Sequence, residues 1–130
     1  MNDSTKASSA QALTIIYGAL AAGVFLFAAI VLLVLEPIDS VVDPTVMRLV
    51  WFGLAAVAVF GAGIVRGRLA GGDPQRSRTG AIVVWALAEG QALVGIVGTM
   101  ITGDRIMTYG ALAIFVWIWL RYPPRSFLSD

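Results

Sequence analysis

Four long apolar blocks, separated by short polar segments, predict helices over about residues 12–35, 49–66, 79–101 and 106–122. The first block carries no charge and exceeds the roughly 20 residues a spanning helix needs. It is too long for the apolar part of a signal peptide, has only Lys6 before it and lacks a small-x-small cleavage pattern after it, so it reads as an uncleaved helix. Glu36-Pro37 ends it, because proline disfavours helix geometry in the residue before it. Asp43-Pro44-Thr45 reads as a turn feeding the second block. That block lies between Arg48 and Arg66, whose long side chains can reach the interface, and Trp51 and Phe52 at its start read as aromatic belt residues. The polar stretch 66–79, with a Gly71-Gly72-Asp73-Pro74 turn, leads to the third block. Thr102-Gly103-Asp104-Arg105 turns into the fourth, and Pro123-Pro124 stops it. Trp117, Trp119 and Tyr122 read as an interfacial anchor; the two tryptophans point to opposite sides of the helix, so one could instead meet a partner or a pigment.

The pattern predicts an all-α integral membrane bundle of four transmembrane helices over residues 12–122, with polar tails at 1–11 and 123–130. Orientation follows from the basic residues. All but Arg48 and Arg105 of the nine fall on the side of the termini and the second loop. Both termini are therefore expected in the cytoplasm, in a bacterial inner membrane.

Composition agrees: 58% of residues are hydrophobic and 13% charged, against about a quarter charged in soluble domains. The net charge is +1 and the basic residues are dispersed, so no nucleic-acid partner is expected. There is no Cys and no His, which removes disulfides, thiol chemistry, His-ligated haem and the usual zinc sites. No nucleophile–base pair is visible. The chain is expected to be neither an enzyme nor a cofactor or metal carrier. Its expected partners are the lipid bilayer and other membrane subunits or itself.

Small residues mark the helix-packing positions. Gly18 and Ala22, and Ala19 and Gly23, are four apart, the spacing that lets helix backbones approach in a membrane. Gly61 adds to a Gly/Ala-rich second helix, and Ala88, Gln91, Gly95 and Gly98 form a seam on the third. Ala19-Leu-Ala-Ala-Gly23 also echoes Ala86-Leu-Ala-Glu-Gly90, which fits a duplicated hairpin.

The third block carries Glu89 near its middle, with Gln91 close by. An ionisable group at that depth is expensive and is a functional-site hypothesis by default. Its helical neighbours Ile82, Trp85, Ala86, Ala92, Leu93 and Ile96 are apolar, and at the edge of the seam it is expected to point into the bundle. Two readings stand. Glu89, with Gln91, binds a proton or sodium ion, or it is a protonated residue that holds helices together. Arg66, Arg68, Arg76 and Arg78 could meet anionic lipid headgroups, or simply set topology. Glu36, Asp39 and Asp43 could hold an external cation.

Residues 60–102 resemble the hairpin of the rotor-ring proteolipid, the c-type subunit of rotary ATP synthases. The shared features are the Gly61-Ala-Gly-Ile-Val65 helix, a polar loop with Arg and Pro, and a second helix reading Ala86-Leu-Ala-Glu-Gly-Gln-Ala-Leu-Val-Gly-Ile-Val97. The resemblance implies that Glu89 is an ion-binding carboxylate. The chain departs from the family in having four apolar blocks where its usual form has two helices. The function expected first is a structural or accessory subunit of a larger membrane complex or homo-oligomer. The alternative is a proteolipid-like ion translocator using Glu89.

Overall fold

The computed structural model describes residues 3–34, 43–69 and 73–127. The fold is all-α: α1 (Asp3–Leu33), α2 (Pro44–Leu69), α3 (Pro74–Thr102) and α4 (Arg105–Arg121), followed by a short 3-10 turn at Pro124–Ser126. Glu36, Asp39 and the Gly71-Gly72 pair lie outside the described residues. Three helices are long and apolar enough to cross a membrane. The fourth has 17 residues, about 25 Å of helix. Outward-facing side chains such as Leu26, Leu33, Leu49 and Phe60 are apolar and exposed, as suits a surface solvated by lipid.

The helices overrun the apolar blocks at their starts. Three aspartates explain most of this. Asp43, Asp73 and Asp104 each accept from the backbone N–H two residues on, at 2.9, 3.1 and 3.2 Å. Pro44 and Pro74 supply a first helical residue whose missing N–H is no loss. Caps therefore decide where α2 and α3 begin, well before the first apolar residue. The segment expected as a tail before residue 12 is instead the first turns of α1. A nucleated helix extends readily through Ala, Lys and Gln.

α3 is the central helix. Half of its apolar span is buried, 50% against 22% for α1 and α2. The cause is its run of small residues: Gly80, Ala81, Ala88, Ala92, Gly95 and Gly98 are all buried. α2 runs antiparallel to it, with Leu69 against Gly80, Gly61 against Leu87 and Trp51 against Gly95. α4 returns antiparallel through a tight turn. Gly103 adopts φ 76°, a left-handed conformation that suits glycine, and its N–H donates to the Thr99 carbonyl at 2.8 Å. α1 packs on α3 and α4, with Tyr17 between Trp85 and Trp119 and Phe25 edge-on to Phe115. α1 is thus antiparallel to α4 and parallel to α3.

Residues after Pro123 are more than a tail. The 3-10 turn folds the chain back so that Phe127 is buried, edge-on to Trp85 at 6.2 Å. At the other end of the bundle, Arg48 of α2 pairs with Asp104 in the α3–α4 turn. That hydrogen bond holds the Asp104 carboxyl below the usual carboxylate range, against the opposing effect of burial. Because the folded value is the lower one, the pair's contribution is complete at neutral pH and is lost as pH falls through it.

The glycines are not equivalent. A Cβ on Gly95 would sit 2.5 Å from the Ala111 Cβ and 2.9 Å from the Met107 carbonyl, so two helices would have to part. Gly18 has nothing within 4 Å of the same position. Gly95→Ala is expected to cost about 1–3 kcal/mol through overpacking, whereas Gly18→Ala costs the isolated chain nothing and can stabilise it by up to about 1 kcal/mol through helix propensity. Thermal unfolding in detergent micelles checks both.

Candidate functional site

Two polar side chains of α3, two residues apart, have opposite fates. A step of two along a helix turns about 200°. Gln91 faces inward and is buried to 2% exposure. Its Oε1 accepts from Trp51 Nε1 at 3.1 Å, and its Nε2 donates to the Ala111 carbonyl at 2.8 Å. One amide thus ties α2, α3 and α4 together. Glu89 faces the other way and is half-buried. On one side of it Trp85, Ala92 and Ile96 are buried; on the other Ile82, Ala86 and Gly90 are exposed. The fold therefore does not bring Glu89 and Gln91 together as one ion-binding pair.

The Gln91 node needs Trp51, which is buried to 4% rather than set in an interfacial belt. Glycine makes the room. A Cβ on Gly110 would meet Trp51 Cη2 at 2.6 Å, and one on Gly95 would meet its Nε1 at 3.1 Å. Phe52, next in the chain, does face outward. The sequence offered a clue to Trp51 only in retrospect: a buried amide requires a donor, and an indole N–H is one.

A second node closes the α3–α4 turn. Thr108 Oγ1 donates to Thr99 Oγ1 at 2.6 Å, and Thr99 Oγ1 donates onward to the Asp104 carbonyl at 2.8 Å. The Thr108 N–H donates to Thr99 Oγ1 at 3.1 Å. Thr99 is thereby committed, and it is not a partner for Glu89. A third node lies at the opposite end. Tyr17 and Trp119 stack at 4.4 Å and exchange hydrogen bonds, each ring donating to the other's backbone carbonyl. Trp85 Nε1 donates to the Tyr122 carbonyl at 2.9 Å.

With these bonds assigned, Glu89 stands apart. Among the described residues it has neither a hydrogen bond nor an ion pair. It sits near the middle of α3, at the margin where α3 leaves α1 and meets the surroundings.

The predicted packing glycines divide. Gly61, Gly95 and Gly98 lie at contacts with Leu87, with Ala111 and with Met107. Gly18, Ala22 and Gly23 lie on the exposed face of α1, and the two glycines have open space. Arg66, Arg68, Arg76 and Arg78 share one end of the bundle, because Leu69 packs on Gly80 there. Arg66 and Arg68 occupy the last turn of α2, where cations suit the helix dipole. The Arg66 Nε is buried without a hydrogen-bond partner among the described residues.

No protein-family model, curated protein or solved structure matches the chain.

If Gln91 is a structural tie, Gln91→Leu strands the Trp51 N–H and is expected to cost about 1–3 kcal/mol. Trp51→Phe should cost a comparable amount, and the double variant less than the sum of the two. Unfolding of the four proteins in detergent measures the coupling; strict additivity would refute the tie.

Proposed function

We propose that the chain is a non-catalytic integral membrane protein acting as a structural or accessory subunit of a larger membrane complex or homo-oligomer. All four helices cross the bilayer in this reading, with both termini and the Arg-rich α2–α3 end in the cytoplasm. The observation that carries it is the small-residue surface left over after the chain has folded. Gly18, Gly23, Gly53 and Gly90 all have open space where a Cβ would stand. Outward-facing glycines add nothing to packing within the chain, whereas small residues are the usual means by which helices of different membrane subunits approach. The buried polar side chains of the described nodes are spent on holding α1 to α4 together. Arg66, Arg68, Arg76 and Arg78 meet anionic headgroups in this arrangement, each contributing about 1 kcal/mol.

A second reading is favoured by one observation, the unpartnered state of Glu89. In it the chain is a proteolipid-like translocator of protons or sodium, with Glu89 alone as the carrier.

The first reading expects a particle heavier than one 13.8 kDa chain when native membranes are extracted in mild detergent and weighed by native mass spectrometry. A clean monomer would sink it. The second expects Glu89 to react with a hydrophobic carbodiimide and to be protected by sodium or raised pH. An unreactive carboxylate ends that reading.

A further inference from the structure

We propose that the seam beside Glu89, between α1 and α3, receives a transmembrane helix of another subunit, and that this helix carries Lys or Arg at mid-membrane depth. The inference rests on the accessory-subunit reading and names the chemistry of the partner.

Three observations converge on the seam. First, Glu89 lies near the midpoint of α3, has no partner among the described residues and is partly open to the outside. A carboxyl group in that position is costly alone. Second, the space beside it is shaped for a helix. Gly90, its neighbour on the exposed side, has nothing within 4 Å of a Cβ position. Across the seam, the Tyr17–Trp85 contact sets the register of the parallel α1 and α3, so residues near 20–24 pass level with 88–92. Phe25 of α1 turns to Phe115 of α4, which leaves the opposite flank, with Leu20, Gly23 and Phe27, on the α3 side. Gly23 on that flank is also open. A carboxylate flanked by two bare glycines is a place where another backbone can come close.

Third, charge complementarity selects the occupant. Every Lys and Arg of this chain lies at a helix end or in a connecting segment, so a second copy brings no cation to this depth. A helix with a basic residue at its centre has the same solvation problem with opposite sign. Docking the two relieves both at once, provided the pair is enclosed. Ala86, one turn from Glu89 and exposed, would face the incoming helix.

The experiment places p-benzoylphenylalanine at Ala86 in the full chain, in the membranes of its native host, and maps the photocrosslink by mass spectrometry. The expected product joins Ala86 to a transmembrane segment of a different protein with Lys or Arg in its middle third. Its yield should fall about tenfold or more in Glu89→Ala and Glu89→Gln backgrounds and persist in Glu89→Asp. Because Glu89 lies at the bundle margin, melting of each variant in detergent should match the parent. A crosslink to a second copy, to lipid alone or to a segment without a basic residue would overturn the proposal. So would a yield that ignores Glu89→Gln, the closest variant in size and shape. Native mass separates the two levels of inference: a heavy particle without this crosslink refutes the docking site alone, and a monomer refutes the accessory reading with it.

Discussion

The bundle depends on how closely α3 can be approached. Backbone groups within a bilayer must satisfy one another, which helices do internally, so the fold is decided by how side chains meet. There is little hydrophobic gain in moving a leucine from lipid to protein. Packing density and interhelical hydrogen bonds carry the association instead. Gly95 brings α3 against Ala111 and the Met107 carbonyl, and the same gap admits the Trp51 ring. The indole then reaches Gln91, and Gln91 reaches a carbonyl of α4. Remove the glycine and the amide loses its partners; remove the amide and an indole N–H is stranded at depth.

The polar nodes sit where connections alone are weakest. The Thr99–Thr108 node pins the α3–α4 turn, with Asp104 capping α4 and pairing with Arg48. The Tyr17–Trp119 exchange fastens α1, which has fewer buried positions than α3. Phe127 fills the space under Trp85 after the double proline turns the chain back. Each helix therefore carries at least one directional bond to a neighbour. This gives register to surfaces that apolar packing alone would let slide.

Much of the fold was legible in the sequence. Four apolar blocks became four helices, because block length and flanking Asp, Pro and Gly are local signals. The helix starts were misplaced because hydropathy marks where lipid contact begins, whereas Asp43 and Asp73 mark where backbone geometry begins. The site was less legible. Periodicity put Gln91 on the packing seam and Glu89 at its edge, turned into the bundle; the structure keeps Gln91 inside but leaves Glu89 half-buried at the outer margin of α3, because the faces beyond Ala92 and Ile96 meet no helix among the described residues. Periodicity could not show that Trp51 is the donor to Gln91, since that contact joins residues 40 apart through a gap made by Gly95 and Gly110. Nor could spacing alone tell which small residues meet a partner within the chain. Gly95 and Gly18 look alike in one dimension and differ only in what stands opposite.

That difference bears on why this chain is built as it is. Around α3 small residues are matched by large ones across the interface: Gly61 of α2 faces Leu87 of α3, and Gly95 of α3 and Gly110 of α4 enclose Trp51. On the outer face of α1 they are matched by nothing among the described residues, while Ile15, Leu26 and Leu33 around them project outward. A helix that only needed to contact lipid would gain dispersion contacts by carrying larger residues at Gly18, Ala22 and Gly23. It would also gain by carrying an apolar residue at Glu89. Gly23 lies on the flank of α1 beside Glu89, whereas Gly18 and Ala22 share the flank of Phe25, which turns to α4. The inward polar residue, Gln91, has its partners inside the chain; the outward one, Glu89, has none among the described residues. A single physical rule, that polar groups at membrane depth are partnered, accounts for Gln91 and Trp51 and makes Glu89 the exception among the described residues.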